Sequence, residues 1–231
     1  DDALRRLRTS FKLLEDQGAL SEKDVQLWTT AEQWAGANDK AAQITARALM
    51  RNPSSQWLVG HLLDTTANAS KSDLAIDALE SATDATTVWY RGKARFNRGQ
   101  ELWAAGKPKD ATKVLDAGVK DFELAKQKNP QFAQSSDQWI GLALGSKGTI
   151  LLSDNQFEAA QEALLAALKA SPDQLEADMG GGGTIKRSIL VLADRFRQLD
   201  LGRTELIYRA FREVAPEDST FANNHGLFAR D

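Results

Sequence analysis

Cysteine is absent from this 231-residue chain, so disulfides, thiolate nucleophiles and cysteine-ligated zinc or iron–sulfur sites are excluded by inventory. Histidine occurs twice, at His61 and His225, isolated positions from which neither a Ser-His-Asp arrangement nor an imidazole metal cage can be argued. Long apolar runs are missing as well. Stretches such as "TILLS" and "SILVLA" fall far short of the roughly 20 residues of a membrane-spanning helix. Neither sign of charge dominates: 29 Lys and Arg face 32 Asp and Glu, which argues against a general nucleic-acid surface or a polybasic membrane anchor. Apolar residues make up 42% and charged residues 26%, an ordinary balance for a soluble, folded chain, with no feature that fixes a compartment.

What the chain has is three- and four-residue apolar spacing in nearly every segment, in a background of Ala, Leu, Gln, Glu and Lys. Leu4, Leu7, Phe11 and Leu14 form one stripe, followed by Gly18 as a stop. Further helices are expected at about 21–35, 38–51, 54–69, 71–83, 86–106, 108–129, 134–153, 155–171, 184–199, 203–214 and 218–230. Four of the five prolines, Pro53, Pro130, Pro172 and Pro216, follow helical stretches and end them, while Pro108 sits at a tolerated first-turn position.

Inside the helices that precede these stops lies a recurring triplet of small, large and small-to-medium residues. It reads Ala41, Thr45, Ala48; then Ala75, Leu79, Ala82, displaced by 34 residues; then Ala111, Leu115, Gly118; then Ala160, Leu164, Ala167. Residues 141–172 extend the pattern with Leu144, Lys147-Gly148, Leu151 and Asn155 before the triplet and Pro172 after it. Residues 95–130 do so with Arg95, Arg98-Gly99, Leu102 and Gly106, and carry extra helical turns before Pro130. A weaker copy at 185–216 has Thr204, Tyr208 and Phe211 in the triplet places.

The pattern resembles the tetratricopeptide repeat (TPR) family of helix–turn–helix units, strongly in 93–172 and loosely elsewhere. The resemblance implies an all-α fold, a TPR-like right-handed α-solenoid of antiparallel helix pairs with irregular copies, in which small residues let helices approach and no hairpin buries its own face. Its expected organisation is a repeat array over 1–179, a glycine-rich connector at 180–183 and further TPR-like helices over 184–231. The opening helix matches the second half of a hairpin and the closing segment, with Gly226 and Ala229, a first half, so the array is expected to continue past Asp231.

Function follows only by analogy with that family. It implies a non-catalytic scaffold that binds a protein or peptide in a groove lined by first helices, with no cofactor and no metal. By helical phase, Gln26, Thr30 and Gln33, then Trp57, His61 and Asp64, then Lys93, Asn97, Gln100 and Trp103 are expected to face the groove. Aromatic anchors among polar groups suit peptide recognition, and all six tryptophans fall on or beside first helices. His61 and Asp64 share a helical face but bring no third metal ligand. Two other readings remain open. "GGGGTIKRS" at 180–188 offers Thr184 and Lys186 to a nucleotide or phosphate, without the preceding strand or adjacent Lys-Ser/Thr of a P-loop; alternatively, the chain is a self-associating structural segment.

Overall fold

The computed structural model describes residues 2–179 and 183–228. It contains twelve α-helices among these residues: α1 Asp2–Asp16, α2 Glu22–Trp34, α3 Asn38–Arg51, α4 Gln56–Asn68, α5 Ser72–Ala78, α6 Ala85–Ala104, α7 Pro108–Lys128, α8 Ala133–Ser153, α9 Phe157–Ala170, α10 Ile185–Arg197, α11 Leu201–Val214 and α12 Ser219–Phe228. The local chemistry explains their ends. Ser21 and Asp24 form a reciprocal capping box that starts α2, and Ser55, Thr184 and Asp200 cap α4, α10 and α11 through their side chains. Gly18, Gly36 and Gly106 take left-handed backbone just past α1, α2 and α6, where an L-residue would be strained. Pro130 and Pro172 each open a short 3-10 turn after a helix stops.

Helix α5 is shorter than the expected 71–83. It stops at Ala78, and the buried guanidinium of Arg91 donates to the carbonyls of Leu79 (3.3 Å) and Glu80 (2.8 Å). A charged donor from the next helix therefore satisfies backbone acceptors that another helical turn would have used. Ser81, Thr83 and Asp84, all weak helix formers, occupy the turn, and Asp84 accepts from the Thr87 amide at the start of α6.

The chain divides into two compact units, Asp1–Arg98 and Gly99–Asp231. In the first, α2 packs on α3, α3 on α4, and α5 on both α3 and α4, around Val25, Trp28, Ile44, Leu49, Leu58, Leu62 and Leu79. In the second, α7 packs on α8, α8 on α9, α9 on α10 and α10 on α11, around Leu164, Leu168, Ile189, Leu192, Phe196, Ile207 and Phe211.

The repeating triplets occupy equivalent buried places. Ala41, Thr45 and Ala48, then Ala111, Leu115 and Gly118, then Ala160, Leu164 and Ala167, then Thr204, Tyr208 and Phe211 are all buried, as are Ala75 and Leu79, whereas Ala82, the third member of that triplet, is half-buried beyond the end of α5. The glycine that precedes the triplet has the same function in two copies of the second unit. A Cβ on Gly99 would lie 2.7 Å from Leu115, and one on Gly148 would lie 2.5 Å from Leu164. In both hairpins a helix backbone rests directly on the leucine of its partner, which only glycine permits. This shared contact makes the second unit a helical repeat in a physical as well as a textual sense.

Candidate functional site

Within the first unit, one face of α4 carries Trp57, His61 and Asp64 in successive turns. The Trp57 indole is 37% exposed and stacks on the His61 ring at 4.7 Å and 20°. The other end of that imidazole is anchored, because His61 Nε2 lies 2.8 Å from Thr29 Oγ1 on α2. The Thr29 hydroxyl itself donates to the carbonyls of Val25 (2.9 Å) and Gln26 (3.1 Å). With the hydroxyl proton directed to either carbonyl, the threonine oxygen accepts from Nε2–H and Nδ1 is the acceptor of the neutral ring. Burial holds the His61 pKa below its ordinary value, against the opposing pull of Asp64.

Lys93 of α6 joins the same electrostatic neighbourhood. Burial lowers its pKa, the Asp64 carboxylate counters that effect, and its ammonium sits 5.1 Å from the centre of the Trp89 ring. Trp89 meets Tyr90 edge to face at 5.3 Å, and a Cβ on Gly60 would lie 3.8 Å from the Tyr90 hydroxyl. Two aromatic planes, one carboxylate, one ammonium and a neutral imidazole thus converge on α4 and α6. Such a surface can stack on a planar or apolar group and pair with charges of either sign.

The other groove candidates are placed differently. On α2, Gln26 is exposed and Thr30 and Gln33 are half-buried; the hydroxyl that reaches His61 belongs to Thr29, one residue from the expected Thr30. Asn97 is half-buried one turn beyond Lys93. Gln100 and Trp103 belong to the second unit, where Trp103 is half-buried. There the Gln100 carboxamide donates to the Met179 carbonyl (2.7 Å) and to Ser146 Oγ (2.9 Å), so its hydrogen-bonding capacity is used within the fold. No group of three His, Cys, Asp or Glu placed to hold a metal occurs among the described residues.

A second concavity, of about 660 Å³, has no counterpart in the sequence reading. It lies between α1 and α3 with α2 as its floor, and Arg8, Lys12, Trp28, Lys40, Ile44 and Arg47 line it. Two buried carboxylates organise its walls. Glu32 accepts from Arg8 Nε (2.7 Å), Arg8 Nη2 (2.6 Å) and the Trp28 indole (3.2 Å). Glu15 accepts from Arg47 Nε (2.8 Å) and pairs with Lys12 and Arg51, each at 3.3 Å. The Arg8 hydrogen bond outweighs burial and lowers the Glu32 pKa; burial pushes Glu15 up, but Arg47 and Lys12 together bring it below the ordinary value. The signal lay in phase: Glu32 follows Val25 and Trp28 on the buried stripe of α2, and Glu15 is one turn from Phe11.

Of the glycine stretch, 180–182 lie outside the described residues, and with them most of the expected connector. Its flanks are tied together: Asp178 and Thr184 form an antiparallel bridge, the Met179 amide donates to the Gly183 carbonyl (3.0 Å), and the Lys186 amide donates to Leu175 (3.1 Å). Thr184 Oγ1 caps the Arg187 amide at 3.1 Å, and the Lys186 ammonium pairs with Glu176 and Asp218, each at 2.8 Å. Both residues offered to a phosphate by the sequence therefore have partners inside the protein.

No family model matches the chain, and no curated protein matches it. Solved structures similar to it include YrrB, described as a TPR protein with an unusual peptide-binding site, at 12% identity over 93% of this chain and 96% of that one, with a TM-score of 0.43. A thermophilic TPR protein of Thermus thermophilus is 16% identical over 91% of this chain and all (100%) of its own, with a TM-score of 0.36. The C-terminal part of a TPR repeat-containing protein of Cytophaga hutchinsonii is 8% identical over 95% of both chains, with a TM-score of 0.32. All three are described as TPR proteins.

Proposed function

We propose that this chain is a non-catalytic helical-repeat scaffold that binds a protein or peptide partner, using in its first unit the face built from Trp57, His61, Asp64 and Lys93. The observation that carries the reading is the stack of the half-open Trp57 indole on an imidazole fixed by Thr29, flanked by Asp64 and Lys93. An aromatic group already held in place loses little freedom on binding, and interface energy concentrates in such anchors. The opposite charges beside it supply orientation more than affinity. Gln26, Thr30, Gln33 and Asn97 extend the same proposal along α2 and α6.

Selection of a random-peptide display library on the full chain tests this reading. Selected peptides should lose about 2 kcal/mol of affinity, roughly thirtyfold, on Trp57→Ala, and a smaller factor on Lys93→Gln. A library that yields no binder, or binders indifferent to both substitutions, would remove the Trp57 face from the proposal.

A further inference from the structure

The cleft between α1 and α3 holds charge that its packing does not require. Leucine at position 15 or 32 would fill the same buried stripe, and a buried ion pair is commonly no more stabilising than an apolar pair of similar size. The two carboxylates do have one clear effect: each fixes an arginine at the rim. Arg8 and Arg47 each use Nε and Nη2 on Glu32 and Glu15, at 2.6–2.8 Å except for one 3.5 Å contact, while staying 36% and 38% exposed along their side chains. Nη1 of each is absent from those contacts, so a second hydrogen-bonding edge remains for an outside acceptor. The Lys40 ammonium, also on the lining, makes no side-chain hydrogen bond or ion pair among the described residues, although its charge acts on the Glu32 carboxylate.

The charge balance favours an anion. Four cations, Arg8, Lys12, Lys40 and Arg47, line the cleft against the carboxylates of Asp16 and Glu32 on the lining and of Glu15 behind Arg47 and Lys12, which leaves one positive charge in excess, on Lys40, on a chain whose net charge is −3. Beneath the cations the surface is apolar: the Trp28 ring and Ile44 form the floor, and Leu13, 58% exposed, forms one wall. The volume falls within the range of about 300–1,000 Å³ in which compact ligands bury most of their surface, enough for two or three side chains.

We propose that this cleft docks an acidic peptide segment of a partner protein, in which a carboxylate side chain adjoins a large apolar one. The carboxylate takes the outer edges of Arg8 and Arg47 together with Lys40, and the apolar side chain covers Leu13, Trp28 and Ile44. Because the guanidinium groups are held in place before binding, little ordering is left to complete. The site is separate from the Trp57 face and stands whether or not that face binds.

Fluorescence anisotropy of the full chain with labelled, end-capped hexapeptides provides the test. Each peptide carries two Glu and one Leu or Phe, at spacings of one to four, and has a Gln-for-Glu counterpart. At least one acidic peptide should bind about tenfold more tightly than its counterpart at about 50 mM salt, and weaken as salt rises. Lys40→Glu, a surface change on α3 that leaves both buried pairs intact, should weaken it about tenfold or more, while Trp57→Ala leaves it unchanged. Acidic peptides that bind no better than their counterparts, or binding indifferent to Lys40→Glu, would overturn the proposal. Weakening by Trp57→Ala but not by Lys40→Glu would assign the acidic peptide to the other face.

Discussion

Replacing Gly148 with alanine adds one methyl group where α8 rests on α9, and its effect can be worked from the geometry. The new Cβ would sit 2.5 Å from Leu164 Cγ, 2.8 Å from its Cδ2 and 3.2 Å from its backbone nitrogen. Leu164 is fully buried, so its side chain has no empty volume to enter, and the backbone contact means that α9 itself must shift. Overpacking of this kind costs about 1–3 kcal/mol, and alanine returns about 0.8–1.0 kcal/mol of helix propensity. The shared backbone contact places the net loss at about 1–2 kcal/mol. Gly60→Ala is the control, because its Cβ meets only the Tyr90 hydroxyl at 3.8 Å and the propensity gain should appear as stabilisation of roughly 0.8 kcal/mol. Urea unfolding followed by far-UV circular dichroism reads both. The decisive comparison adds Leu164→Ala, which alone should cost about 2–5 kcal/mol but also opens the space that the new methyl needs. The two changes should then couple favourably by about 1 kcal/mol or more. Strict additivity, or a stabilising Gly148→Ala, would refute close glycine–leucine packing as the basis of the repeat.

Other outcomes follow from particular contacts. Arg91→Met removes the donor shared by the Leu79 and Glu80 carbonyls and should cost about 2–3 kcal/mol, with faster amide exchange confined to the end of α5 and the following turn. Burial depresses the His61 pKa, so the unfolded chain takes the proton first as pH falls below about 6.5, and the stability present above that value is lost on the way down. His61→Gln should flatten this part of a stability–pH curve. Glu32 behaves as a depressed carboxylate: its contribution is present above the unfolded value of about 4.3 and fades as pH drops through its folded pKa. Arg8→Gln should therefore destabilise at neutral pH and lose its effect in acid, as denaturant midpoints across pH would show. Ser70 holds a left-handed backbone at φ 53°, which costs an L-residue about 1–2 kcal/mol, part of which glycine's extra chain entropy offsets. Ser70→Gly should stabilise by roughly 0.5 kcal/mol and Ser70→Val should destabilise, measured by thermal unfolding.

Helix existence and order were legible because three- and four-residue apolar spacing is a local property: Gly18 ends α1 as its stop predicts, and Gly36 and Gly106 turn the chain just past α2 and α6. The triplets were equally legible, since a small residue at Ala160 or Ala41 reflects a close neighbour whatever its identity. The end of α5 was not, because the group that replaces its last turn is the guanidinium of Arg91, twelve residues beyond Leu79. At the candidate site, Trp57, His61 and Asp64 could be read from one helix's phase, but their anchor could not. Thr29 reaches His61 from α2, and helical phase alone assigns the polar face to its neighbour Thr30. The α1–α3 cleft is hidden in the sequence for a related reason. Glu15 and Glu32 look like ordinary charges on amphipathic helices until each is seen to hold an arginine that lies 24 or 32 residues away.

The most direct test of the scaffold reading is site-specific photocrosslinking in the native host, with p-benzoylphenylalanine placed at Asp64 on the proposed face or at Asp77, an exposed position on α5. The proposed face predicts a discrete crosslinked partner from position 64, weakened by a second-site Lys93→Glu change, and none from position 77. Equal crosslinking from both positions, or none from 64 while the chain is recovered in a larger complex, would contradict it.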